Sequence, residues 1–239
     1  MPNSYFQFKE FRIEQENCGM KVTTEACLFG ALAARFLPEN CDSILDIGTG
    51  TGLLALMLAQ SSKASIYALE IDNDAFQQAK ENFQYSPWAE KLSIEHCDLN
   101  DYHPDIPFDF IICNPPFFEK NQLGKKENKN KALHNFTLGF EALAQAIEKL
   151  LNPENGLAIV LYPEYQMSLF KKSMVALGLE EHISIDLHNQ ADSPIFRQIK
   201  VFSKHKSASI QNQRLVIKNQ NGEYTPDFID LLKDYYLHL

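Results

Sequence analysis

The chain lacks the cysteine pattern of a metal site or a disulfide-framed fold. Its five cysteines, Cys18, Cys27, Cys41, Cys97 and Cys113, are odd in number, widely spaced and without a C-x-x-C pair. That argues against a zinc site and against a disulfide scaffold, and it fits a reducing compartment with inert buried thiols. No apolar run approaches the length needed to span a bilayer, and Met1 to Glu10 has no apolar stretch of the kind a secretion signal carries. A cytoplasmic protein is expected. Positive charge is scarce, because 22 Lys and Arg face 31 Asp and Glu, for a net charge of −9. So acidic a chain is not built for indiscriminate contact with nucleic acid, and any such contact has to use a local basic patch. Internal repeats and low-complexity tracts are also missing.

What is present is ordinary in bulk: 239 residues, 45% hydrophobic and 22% charged, as expected for one large soluble domain or a domain with small additions. From Ser43 onward, strand and helix signals alternate. Ile44–Ile47 reads as a strand, Leu53–Gln60 as a helix, Ser65–Ile71 as a strand, and Asn73–Tyr85 as a helix capped by Asp72 or Asn73. Leu92–Cys97 and Phe108–Cys113 read as strands, His134–Leu151 as a helix, Leu157–Tyr162 as a strand and Glu164–Leu177 as a helix closed by Gly178. Two strands near Ile183–Leu187 and Arg197–Ser203 follow, and the linker between them is too short for a helical crossover, so they form an antiparallel hairpin. Before this pattern stands a helix at Thr24–Phe36 with Thr23 or Thr24 as its cap. After it come a strand-like Arg214–Lys218, an Asn221-Gly222 turn and a helix from Pro226 to Leu237. The expected fold is α/β, Rossmann-like: a mostly parallel seven-stranded sheet closed by an antiparallel hairpin, with helices on both faces.

The first strand runs into Asp46-Ile47-Gly48-Thr49-Gly50-Thr51-Gly52. Glycines between a strand and a helix allow a tight turn and close approach of backbone to ligand above the helix N-terminus. The dinucleotide fingerprint fails here, because Leu53 stands where its last Gly or Ala belongs, and no G-K-[ST] marks a phosphate loop. The spacing G-x-G-x-G after an acid is the form associated with S-adenosylmethionine. Glu70 ends the second strand, where a carboxylate can accept from both ribose hydroxyls; that supports a nucleoside without choosing between cofactors. Asp98 ends the third strand and can accept from an adenine amine, with the Leu99 N–H donating to a ring nitrogen. Its plain alternative is a turn cap.

Asn114-Pro115-Pro116-Phe117 follows the fourth strand. Two prolines cannot continue a ladder, so the chain leaves the sheet in a stiff extended turn. Asn114 Oδ1 and the Pro115 carbonyl can accept both hydrogens of an exocyclic amine while Phe117 stacks on its ring. In a doubly wound sheet the first and fourth strands are neighbours at the switch point, so the glycine turn and Asn114 face one crevice. Just beyond lie Lys120, Lys125, Lys126, Lys129 and Lys131, a candidate patch for nucleic acid. No strong general base is evident, and His134 reads as a helix-start or RNA-contact residue.

With these motifs in register, the chain resembles class I S-adenosylmethionine-dependent methyltransferases, and the Asn-Pro-Pro-Phe form resembles those that modify exocyclic amines. Phe6-Gln7-Phe8-Lys9, Met20 to Ala31, and Tyr224-Thr225-Pro226-Asp227-Phe228 through Leu237 look like the terminal motifs of the bacterial tRNA(Val) adenine-37 N6-methyltransferases. Phe117 stands where many members have Tyr, and Thr24-Glu25-Ala26 departs from the expected Gly-Thr-Asp-Gly-like residues. The resemblance implies transfer of a methyl group from S-adenosylmethionine to N6 of the adenosine 3′ to the anticodon. It implies catalytic roles for Asn114, Pro115, Pro116 and Phe117. It implies a cofactor site of Lys21, Thr24, Asp46, Gly48, Gly50, Gly52, Glu70, Asp98, Leu99 and Asn114, with no metal. Residues 1–40 are then an extension packed on the cofactor site, 41–206 the methyltransferase core, and 207–239 an appendage of the same domain. The rival readings are an amino methyltransferase acting on ribosomal guanine, DNA adenine or protein glutamine, a non-catalytic module on the same fold, and a dehydrogenase, which Leu53 disfavours.

Overall fold

The computed structural model describes residues 4–116 and 139–239. Phe117, the five lysines of the basic segment and His134 lie outside the described residues.

A short hairpin comes first, β1 (Tyr5–Gln7) paired antiparallel with β2 (Arg12–Glu14). Helix α1 (Thr24–Arg35) follows, capped by the Thr23 hydroxyl, which accepts from the Ala26 N–H at 3.2 Å. Then come β3 (Ser43–Ile47), α2 (Leu53–Ser61), β4 (Ser65–Glu70), α3 (Asn73–Gln84), β5 (Leu92–His96) and β6 (Phe110–Cys113). Asp72 caps α3 by accepting from the Ala75 N–H at 2.9 Å. The chain continues through α4 (139–150), β7 (Leu157–Tyr162), α5 (Glu164–Ala176), β8 (Glu180–Gln190), β9 (Ile195–Ser203), β10 (Gln211–Lys218) and α6 (Pro226–Leu232).

The main sheet has the order β10-β8-β9-β7-β6-β3-β4-β5. All neighbours are parallel except β9, which runs antiparallel to both β7 and β8. The expected seven strands and closing hairpin are present, and an eighth strand joins them: β10, read from sequence as part of an appendage, pairs parallel with β8 from Gln211↔Ile183 to Lys218↔Gln190. Two further expectations shift. β8 runs past the expected Ile183–Leu187 because ladder pairing carries polar residues such as Glu181, His188 and Gln190, and β9 begins at Ile195 rather than Arg197 because Ile195 pairs with His188. The last helix stops at Leu232 rather than Leu237, since the chain there turns to bury Tyr235 and to pair Tyr236 with Phe8.

Alternation along each strand feeds two cores. Ile44, Phe110, Ile112, Ile159, Leu161 and Ile199 face one side, under α1, α2, α3 and α6. Leu45, Ile47, Ile111, Cys113, Ala158 and Val160 face the other, under α4 and α5. At the N-terminal edge of the sheet a buried carboxylate, Asp109, ties β3 to β6. Its Oδ2 accepts from the Asp42 N–H, the Ser43 N–H and the Ser43 hydroxyl at 2.9, 3.1 and 3.2 Å, and its Oδ1 accepts from Asn152 Nδ2 at 2.8 Å. Burial pushes this carboxyl up, and those four donors outweigh it, holding the group below the usual carboxylate range.

Candidate functional site

The register of three strands builds a row at the opposite edge. Ile47 on β3 sits beside Leu69 on β4 and Cys113 on β6. One residue further along each strand stand Gly48, Glu70 and Asn114. Neighbouring strands are about 4.8 Å apart, so the three positions are next to one another.

Gly48, Gly50 and Gly52 all have positive φ, at 70°, 58° and 82°. At Gly50 a Cβ would meet only open space, so what the position needs is the conformation and a bare face toward a ligand. At Gly52 a Cβ would lie 2.5 Å from Phe83 Cε1, so α3 packs directly under the turn. The turn is tied to β4 twice, the Gly48 and Thr49 N–H groups both donating to the Leu69 carbonyl at 2.9 and 3.0 Å. Above it starts α2, whose first N–H groups favour a negative or polar ligand group.

Glu70 holds the other side of the turn. Its Oε2 accepts from the Gly50 N–H at 2.8 Å and its Oε1 from the Asp72 N–H at 2.9 Å. Each oxygen keeps a second lone pair for a ligand hydroxyl. Asp46 is fully buried: its Oδ2 accepts from the Thr49 hydroxyl at 2.6 Å, and its Oδ1 has no partner among the described residues. Burial pushes its carboxyl up to about 7, with Glu70 adding to the rise and the Thr49 hydrogen bond opposing it.

Asn114 presents the other unsatisfied atom of the row. Its Oδ1 is shielded from solvent and accepts no hydrogen bond among the described residues, while Pro115 is half-buried and Pro116 exposed. A buried amide oxygen without a partner costs about 1–3 kcal/mol, so a donor arriving with a ligand is favourable at this position. Beneath it the Cys113 thiol donates to the Ile47 carbonyl at 3.3 Å and is pushed well above its ordinary value by burial; it is not a nucleophile.

Asp98 does what its plain alternative foresaw, capping the single turn Leu99–Asp101 by accepting from the Asn100 N–H and Nδ2 at 2.9 and 2.8 Å. Asp98 and Leu99 both stay half-buried at the end of β5, two strands from β3. Lys21 is exposed ahead of α1. Thr24 opens that helix near Tyr236 of the C-terminal segment. Sequence reading passed over Thr49, the partner of Asp46, and Asn82, which donates to the Thr51 carbonyl in the glycine turn at 2.8 Å. A signal for Asn82 was available, since Gln78 and Asn82 are the two amides on the buried stripe of α3 with Ala75, Ala79 and Phe83. Among the described residues no group of three or more His, Cys, Asp or Glu is arranged to hold a metal ion, and no described helix is long and apolar enough to cross a membrane.

The residues fit a nucleoside-bearing cofactor beside an amine acceptor: a bare-faced turn, a strand-end carboxylate, and one strand away an amide oxygen without a partner among the described residues. Comparison with known proteins agrees. Residues 29–168 match the family model described as Methyltransferase small domain. A protein of Dyadobacter fermentans named tRNA1(Val) (adenine(37)-N6)-methyltransferase is 40% identical over 239 residues, covering 98% of each chain. One of the same name from Cytophaga hutchinsonii is 36% identical over the whole of both chains. Among solved structures, a protein of Agrobacterium tumefaciens named a predicted O-methyltransferase superposes with a TM-score of 0.66 at 16% identity, over 87% of this chain and 95% of its own.

Proposed function

We propose, from the premise that this chain belongs to the tRNA1(Val) (adenine(37)-N6)-methyltransferase family, that it methylates N6 of adenosine 37 in a valine tRNA with S-adenosylmethionine as donor. The observation that carries the reading is the buried Asn114 Oδ1 beside the glycine turn, which has no hydrogen-bond partner among the described residues. S-Adenosylmethionine, when bound, supplies a methyl group already activated on a sulfonium. Gly48, Gly50 and Gly52 give it a bare backbone face, Glu70 accepts from its ribose, Asp98 and the Leu99 N–H meet its adenine, and Lys21, Thr24 and Asp46 complete the site.

The protein's work is alignment and polarisation. The N6 lone pair of adenine is delocalised into the ring and is a weak nucleophile. Asn114 Oδ1 and the Pro115 carbonyl accept its two hydrogens, which favours a pyramidal nitrogen and returns density to the lone pair. Pro116 stiffens the turn, and Phe117 stacks on the base. An anticodon-loop adenosine is cheaper to unstack than one in a duplex. Lys120, Lys125, Lys126, Lys129 and Lys131 follow the catalytic residues in sequence and supply the local positive charge that a chain of net −9 needs to meet phosphate. The protein works in the cytoplasm as one domain: an extension at 1–40, the core at 41–206 and the appendage at 207–239.

Asp46 gives the cofactor site a pH dependence. Its carboxyl is pushed up to about 7, so it is mostly protonated at pH 6 and mostly ionised half a unit above neutrality. A cationic ligand favours the ionised form, so S-adenosylmethionine binds about five- to tenfold more tightly across that rise, and Asp46→Asn flattens the profile. Titration calorimetry at stepped pH checks this; an equal slope in the variant removes Asp46 as the cause.

The test of the function is methyl transfer from labelled S-adenosylmethionine to unmodified bulk tRNA, with nucleosides identified by mass spectrometry. N6-methyladenosine confined to one tRNA is expected. Label in guanosine, or no label from a protein that binds the cofactor, would overturn the assignment.

A further inference from the structure

Asn82 satisfies every hydrogen-bonding need it has by joining two parts of the chain that are far apart in sequence. It is 3% exposed. Its Nδ2 donates to the Thr51 carbonyl at 2.8 Å and to the Glu14 carbonyl at 2.9 Å, while its Oδ1 accepts from the Glu14 N–H at 2.9 Å. Toward Glu14 the side-chain amide thus behaves as one residue of a strand would, pairing with both backbone groups. Toward Thr51 it holds the glycine turn from the side that Phe83 supports at Gly52.

The segment that leaves Glu14 is fixed in two more places. The buried Gln15 Oε1 accepts from the Val22 N–H at 2.8 Å, closing the loop between them, and Gln78 Oε1, one turn before Asn82 on α3, accepts from the Asn17 N–H at 3.4 Å. Within this loop the Cys18 thiol is pushed up to about 11, by burial first and then by the Glu70 and Asp72 carboxylates, so the loop runs within electrostatic reach of the strand-end acid.

We propose that Asn82 is a positioning residue of the cofactor site, holding the glycine turn and the segment from Glu14 to Val22 in one fixed register so that this segment forms a preset wall beside the turn. The inference rests on the cofactor reading above. Asn82 touches neither cofactor nor base; it fixes the groups that do. Without it the Thr51 and Glu14 carbonyls and the Glu14 N–H lose their partners, and turn and wall are free to separate.

The test is titration calorimetry with S-adenosylmethionine, alongside kcat at saturating cofactor, for the full-length wild type and for Asn82→Ala. The variant is expected to bind about tenfold more weakly or worse, with kcat within about twofold of wild type once saturated. Asp109→Ala, which breaks a buried network at the opposite edge of the sheet, is the control for lost stability alone. It is expected to lower Tm while leaving cofactor affinity unchanged. If Asn82→Ala does not fold, Asn82→Asp keeps the shape and the bond from the Glu14 N–H and removes both donors; the same loss of affinity is expected. Unchanged affinity in a folded Asn82 variant overturns the proposal, as does an equal loss in Asp109→Ala. A wild type that binds no S-adenosylmethionine defeats the cofactor reading itself, and this inference with it.

Discussion

Asn114→Ala lowers kcat by about a thousandfold and leaves the affinity for S-adenosylmethionine within about threefold of wild type. The magnitude follows from the state of the Asn114 side chain. Its Oδ1 is buried and accepts no hydrogen bond among the described residues, so it is poised to receive an amine hydrogen without first giving up another partner. Preorganised groups of this kind commonly contribute about two to three powers of ten, because the cost of orienting them was met when the protein folded. The expected split between kcat and binding follows from the register: the glycine turn rises from β3 and Glu70 from β4, while Asn114 follows β6 on the other side. Single-turnover transfer to tRNA, with calorimetry on the same preparation, measures both. A variant that keeps full kcat removes Asn114 Oδ1 from the mechanism.

Glu181→Ala destabilises the protein by about 3–5 kcal/mol. Glu181 and Lys200 are 5% and 7% exposed, among the least accessible charged residues of the fold. Lys200 Nζ lies 2.5 Å from Glu181 Oε1 and donates to the Ser184 hydroxyl at 2.7 Å, while Lys171 on α5 reaches Glu181 Oε2. Burial pushes the Glu181 carboxyl up, yet the two ammonium groups hold it below the usual range. Removing the carboxylate leaves Lys200 buried with the Ser184 hydroxyl as its remaining hydrogen-bond partner among the described residues, and that uncompensated charge is the main cost. Replacing both members, as in Glu181→Leu with Lys200→Met, recovers most of the loss, because the pair repays little more than its own desolvation. The pH dependence has a definite sign. The folded pKa is depressed, so this stability is fully present above the unfolded carboxyl's value of about 4.3 and is lost as pH falls through the folded value. Urea unfolding at neutral pH and in mild acid checks the whole set. A single variant as stable as the double one would show that the buried ammonium costs nothing.

How much of this was legible beforehand depends on the range of the interaction. The alternation from Ser43 to Tyr162, the caps Thr23 and Asp72, and the turn at Gly48 to Gly52 are local, and apolar spacing or glycine placement states them directly. The facing of Asn114 and Gly48 was legible too, because doubly wound topology leaves few choices for which strands adjoin. The rest depends on partners that spacing does not name. Glu181 and Lys200 look like ordinary surface charges until strand register sets them opposite α5. Gln211 to Gln213 carry no apolar alternation, so β10 starts earlier than its pattern. Tyr235 and Tyr236 fit a helical period, yet their destination is the N-terminal hairpin. Asn82 is written as a helix residue and acts as a strand.

That destination sets an order on synthesis. The Lys9 N–H donates to the Tyr235 carbonyl at 2.8 Å, and Phe8 pairs with Tyr236, so these contacts of the hairpin form only after the chain has been made as far as Tyr236. Closing so long a loop is slow, and its entropy cost falls due before the contacts reward it. The sheet, its glycine turn and the ties of Glu14 and Asn17 to α3 can assemble from nearer neighbours as they emerge, whereas the hairpin's contacts with Tyr235 and Tyr236 come later. A nascent chain halted before Tyr235 therefore lacks the clasp between its hairpin and the segment that follows α6.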